Sequence, residues 1–141
     1  GRLAVDLLLF RVGVLELADI EAFRPEVLKN PLARIEAEGS ITHNLRDYMV
    51  CVHNHLPTPD YVTRFADWVD RQLQGADIPG LIDYRKTAAD AAQAHPTNDH
   101  FMPFFVALGA AGGNPKSERF YAGVDDLVIA MDGYRFDRAV Q

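Results

Sequence analysis

The side chains most suited to chemistry are five histidines, His43, His53, His55, His95 and His100. His95 and His100 bracket the stretch His95-Pro96-Thr97-Asn98-Asp99-His100, at the mouth of an apolar run that closes on Gly109-Ala110-Ala111-Gly112-Gly113. Thr97 has the side chain of a helix N-cap, and a helix begun there places His100 at its third position. Amide dipoles in that first turn disfavour an imidazolium and leave a neutral ring able to bind a metal. Five residues turn about 500° around a helix, so His95 and His100 do not share a face and any co-ligands must come from elsewhere.

His43 follows the turn Gly39-Ser40-Ile41-Thr42 and opens a helix, where a loop on a rigid scaffold presents a reactive side chain. His53 and His55 sit two apart and could pinch a zinc ion. They lie in a connector flanked by Pro57 and Pro59 with no third ligand nearby, and solvent exposure is the expectation. His95 either hydrogen-bonds the backbone and pins its loop, or belongs to the site. Asp99 either accepts a hydrogen bond from an imidazole or is a carboxylate favoured at a helix start. Dinucleotide, Walker and Gly-x-Ser-x-Gly signatures are absent. Cys51 is the single cysteine, which excludes an intrachain disulfide and a Cys-rich zinc module and suits a reducing cytoplasm.

The elements that must position these residues are read from periodicity. Leu3–Val12 is a nearly continuous apolar run, either a strand covered on both faces or a buried helix. It is interrupted by charge and too short to span a bilayer, and it lacks the features of a signal peptide. Val14–Glu38 mixes apolar and charged residues at helical intervals broken by Pro25 and Pro31, which predicts two or three short helices. Asp60–Leu73 is the clearest helix, with Val62, Phe65, Ala66, Val69 and Leu73 on one stripe, Trp68 at its edge, Thr58 or Asp60 as cap and Gly75 as stop. A second helix is expected over Leu81–Ala94, a buried one over Phe101–Ala111, a surface loop over Asn114–Ser117, and a closing strand from Leu127 through Phe136. The expected class is α/β, a single three-layer-type domain over 1–141 with a central, mostly buried sheet flanked by helices. A net charge of −6 without a basic cluster excludes a nucleic-acid backbone as partner, and no membrane partner is expected.

Two blocks, Gly39-Ser40-Ile41-Thr42-His43-Asn44-Leu45-Arg46-Asp47 and His95-Pro96-Thr97-Asn98-Asp99-His100-Phe101-Met102-Pro103-Phe104, resemble class III extradiol ring-cleavage dioxygenases, the LigB superfamily in its DOPA-dioxygenase-like branch. The likeness runs over 39–136, about two thirds of the chain. It implies an oxidoreductase that opens a catechol-type ring with O2 and a non-haem metal, Fe(II) first and Zn(II) second. It implies His43 as the acid/base residue and His100 as a metal ligand, with His95, Asp99 and Thr42 as candidates for contact with the substrate or for supporting hydrogen bonds. The family draws its other metal ligands from a region upstream of the Gly-Ser block, whereas the 38 residues before Gly39 contain no histidine. The family also carries a short apolar strand there, where Leu32–Glu38 is highly charged, and commonly has Glu at the place of Asp99. The chain therefore corresponds to an incomplete LigB-like fold: a C-terminal portion, a shortened relative, or half of a site completed by an N-terminal portion or in a homo-oligomer. A non-catalytic α/β relative serving as a binding or assembly subunit is the alternative.

Overall fold

The computed structural model describes residues 34–112 and 114–137. The expectations for Leu3–Val12, and for Val14 up to Ala33, lie outside the described residues. At the centre of the described unit is the closing strand, here β4 (Ile129–Asp137), one element as the apolar pattern predicts. It pairs antiparallel with β1 (Arg34–Ser40), β2 (Lys116–Tyr121) and β3 (Val124–Asp126), in the order β1-β4-β2 with β3 also on β4.

Two of these strands correct the sequence reading. Arg34–Ser40 pairs fully with β4, from Arg34 opposite Asp137 to Ser40 opposite Met131. Its charges suggested a helix or no strand at all. In sequence, Ile35, Ala37 and Gly39 alternate with Arg34, Glu36, Glu38 and Ser40, which is the two-residue period of a strand. The supposed loop over Asn114–Ser117 gives way to β2 at Lys116, and β3 was not foreseen.

Along β4, Ala130, Asp132, Tyr134 and Phe136 are buried, and this face receives the helices. Helix α2 (Asp60–Gln74) buries Val62, Phe65, Ala66, Val69 and Leu73, with Trp68 half-buried at the edge, as its stripe predicts. Burying each large apolar side chain contributes roughly 1.5–3 kcal/mol. Pro59 occupies the N-cap, so neither Thr58 nor Asp60 caps the helix. Helix α6 (Met102–Ala111) lies on β1 and β4, where the Phe104 ring meets Tyr134 at 5.6 Å and Phe136 at 5.9 Å. It ends at Gly112, whose φ of 75° favours glycine.

Helix α1 (Leu45–Asn54) starts one residue after the Asn44 cap and runs through His53, so that the connector is shorter than expected. The single helix expected over Leu81–Ala94 is three short ones: α3 (Ile78–Ile82), α4 (Tyr84–Thr87) and α5 (Ala91–Ala94). The Asp77 carboxylate accepts the Gly80 N–H to start α3, and Ala88 is extended after α4. A weak, alanine-rich face does not hold one long helix against such local stops. Among the described residues the architecture is α/β, a four-stranded antiparallel sheet with six helices. No described helix is long and apolar enough to cross a membrane.

Candidate active site

Two loops build the site, one between β1 and α1 and the other between α5 and α6. They are laced together by backbone and side-chain bonds. The Ile41 amide bonds the Ala130 carbonyl at 2.8 Å, and the His43 amide bonds the Ala94 carbonyl at 2.8 Å. Asn44 does two things at once: its Oδ1 accepts the Asp47 N–H to cap α1, and its Nδ2 donates to the Gln93 carbonyl at 2.8 Å. Thr42 is fully buried. Its hydroxyl donates to the Val128 carbonyl at 2.7 Å and accepts from the Ala130 amide at 2.8 Å, so its proton is committed to the scaffold and not offered to a ligand.

This lacing brings His43 and His100 into contact. Their rings stack with centroids 3.6 Å apart and planes 15° from parallel. Burial pushes the His43 pKa below its ordinary value; the neighbouring His100 pushes the same way, and Asp99 opposes both. His43 Nδ1 is buried without a hydrogen-bond partner among the described residues. Asp99 is an exposed carboxylate 3.6 Å from His100 Nε2, and it accepts a hydrogen bond from the Thr97 hydroxyl. That bond corrects the placement of His100. Thr97 spends its hydroxyl on Asp99 and caps no helix, Phe101 holds the N-cap position of α6, and His100 precedes the helix. The dipole argument therefore does not apply to it. His53 and His55 are exposed at the end of α1, and the structure brings neither to the pair.

His95 is fully buried just after α5, where proline next in sequence turns the chain out of helix. Its Nε2 bonds the Ile41 carbonyl, its ring stacks on Phe101 at 4.6 Å, and its carbonyl accepts from Arg85 at 2.7 Å. Of the two readings left open for it, the backbone bond is the one observed. Burial drives its pKa from 6.5 down to about 4. Between those values the unfolded chain holds a proton that the folded one refuses, so stability falls as pH drops through the window. The loss is roughly 3 kcal/mol in all, at about 1.4 kcal/mol per unit. Urea unfolding at pH 7.5 and pH 5 should show about 2 kcal/mol of this loss, because pH 5 lies about 1.5 units into the window, and His95→Gln should remove most of it. Equal slopes for the two proteins would mean that the buried ring accepts its proton without cost.

The chain is 29% identical over 109 residues to the 4,5-DOPA dioxygenase extradiol of Beta vulgaris, covering 77% of this chain and 40% of that protein. It is 30% identical over 108 residues to the protein of the same name from Mirabilis jalapa, covering 76% and 39%. For the Portulaca grandiflora protein the figures are 31% over 93 residues, 60% and 34%. The chain is a distant relative of these dioxygenases. It spans about 40% of the length of the first two. No family model matches. Among solved structures, an uncharacterized protein of Escherichia coli K12 shares the fold with a TM-score of 0.54 at 24% identity, over 69% of this chain and 40% of that one.

The metal expected from the two histidine blocks finds no complete site among the described residues. No group of three or more His, Cys, Asp or Glu side chains gathers among them. The rings of His43 and His100 lie face to face, so their in-plane lone pairs run alongside one another and do not converge on one ion. A groove of about 570 Å³ beside α3, α4 and α6 is walled by Ile82, Tyr84, Asn98, Met102, Phe105 and Leu108, with neither His43 nor His100 in its lining. The groove is therefore separate from the pair. The supporting residues Asn44, Arg85 and Phe101 were not foreseen as part of the site. Of these, only Asn44 carried a local signal, an N-cap residue directly after His43.

Proposed function

We propose that this chain carries the proton-transfer face of an extradiol-dioxygenase-type site acting on a catechol-type aromatic with O2. The observation that carries the reading is the stack of His43 on His100, formed by two blocks far apart in sequence. Distant relationship to proteins named 4,5-DOPA dioxygenase extradiol supports the substrate class. In this reading His43 is the acid/base residue. With Nδ1 enclosed, Nε2 is the atom that takes a phenolic proton and later returns one. A lowered pKa keeps that nitrogen unprotonated at neutral pH, as a base requires. His100, half-exposed beside Asp99, is assigned as one ligand of a non-haem metal, Fe(II) in preference to Zn(II). The remaining donors come from outside residues 34–137.

The test is metal content of the full chain after anaerobic Fe(II) loading, followed by ring opening on adding a catechol in air. His100→Ala is expected to lower retained iron at least tenfold and His53→Ala to leave it unchanged. Equal retention by the His100 variant removes the ligand assignment, and absence of ring-opened product from an iron-loaded chain removes the reaction.

A further inference from the structure

His95 touches both halves of the site without belonging to its reactive pair. Through Nε2 it bonds the carbonyl of Ile41, two residues before His43, and its ring lies against Phe101, one residue after His100, with planes 7° apart. Phe65 and Tyr84 meet the same ring edge-on at 5.7 and 6.3 Å. Arg85 holds the residue's own carbonyl. A single buried side chain thus spans the two loops that deliver the stacked imidazoles.

We infer that His95 is a positioning residue: its Nε2–H bond to the Ile41 carbonyl and its stack on Phe101 set the separation and tilt of the His43 and His100 rings. A carbonyl acceptor fixes the proton on Nε2 and leaves Nδ1 as a bare lone pair. That nitrogen is buried without a partner among the described residues. An unsatisfied buried acceptor is costly, and an apolar side chain of similar shape would avoid it. What the imidazole adds over that apolar side chain is the donor to Ile41. The Ile41 carbonyl is in turn buried next to Thr42, whose hydroxyl is committed to β4. Without the His95 donor, the Ile41–His43 segment keeps its ties to the sheet and to Ala94 but loses the one to the side chain lying against Phe101. Movement of a reacting group by about 1 Å can cost on the order of a hundredfold in rate.

The inference rests on the proposed site, and its experiment reads the ring pair without turnover. In metal-free full chain carrying 13C-labelled histidine, stacked rings shift each other's carbon-bound protons by ring current. His95→Leu is expected to abolish the mutual shift of the His43 and His100 signals, and His95→Gln, which keeps a donor, to retain it. Unchanged shifts in a folded His95→Leu protein overturn the inference. Should His95→Leu fail to fold, His95→Gln decides alone: shifts retained support the donor's role, and shifts lost in a folded protein overturn it. A preparation that opens catechols adds an independent readout, in which His95→Leu lowers kcat about a hundredfold with KM unchanged. Loss of the shift in a chain that opens no catechol would leave the positioning role standing and remove only the assigned reaction.

Discussion

His43→Ala is expected to lower catechol ring opening by about 10²–10⁴-fold, the usual contribution of a positioned acid/base group. Iron retained by the chain should not change, because the ligand role is assigned to His100. The wild-type pH profile supplies the second arm. A base must be unprotonated, so the rate falls on the acid side as pH drops through the pKa of His43. Burial first, and His100 second, place that pKa below 6.5, so the acid limb should lie below 6.5 as well. Asp99 is the group that holds it up. Asp99→Asn should move the limb to still lower pH, and an alanine at position 43 should erase it. An acid limb above 6.5, or one that persists in His43→Ala, would assign the proton transfer to another residue.

How much of this site was legible beforehand depends on whether the cause was local. Asn44 caps α1 in the structure as its residue type suggests, so the presentation of His43 at a helix start could be read from four consecutive residues. The stripe on α2 and the apolar length of β4 are likewise properties of single segments. His100 was misplaced because Thr97 has two uses for one hydroxyl. Its bond to Asp99 wins over a cap, and α6 then begins beside Pro103, in its first turn, where proline is tolerated. Arg34–Ser40 and Lys116–Tyr121 are too polar for buried strands, and both are laid down by pairing with β4. Strand preference in such segments follows the partner more than the residues. Contact between His43 and His100 lies further still from the sequence, since it depends on the bonds of His43, Asn44 and His95 to segments distant along the chain.

Arg119→Met should cost about 3–5 kcal/mol of stability, the range found when one partner of a buried ion pair is removed. Arg119 on β2 joins α2 to the sheet: Nη1 reaches Asp67 at 2.8 Å and Nη2 reaches Asp132 at 2.7 Å. The Asp67 end is exposed, so its share is within the roughly 0–1 kcal/mol of a surface pair. Asp132 is a different matter, with a side chain fully enclosed on β4. Arg119 Nη2 meets that carboxylate at 2.7 Å, and hydrogen bonding from the guanidinium and from the Gly123 backbone favours the ionised form against burial. The charge of Arg119 is the largest counterweight to that burial. Burial already raises the Asp132 pKa above 3.8 with Arg119 present to oppose it, and removing the guanidinium raises it further. A carboxyl whose folded pKa exceeds its unfolded one retains a proton that the unfolded chain has released. Stability then falls as pH rises from about 3.8 towards the folded pKa, so the deficit of Arg119→Met should be smallest near pH 4 and largest at neutrality. Adding Asp132→Leu should restore most of the loss, because no charge is then left behind. Urea unfolding of both single variants and the double variant at pH 4 and pH 7 makes the comparison. A deficit in Arg119→Met that is equal at both pH values and not recovered by the second substitution would show that the arginine's charge is not what matters.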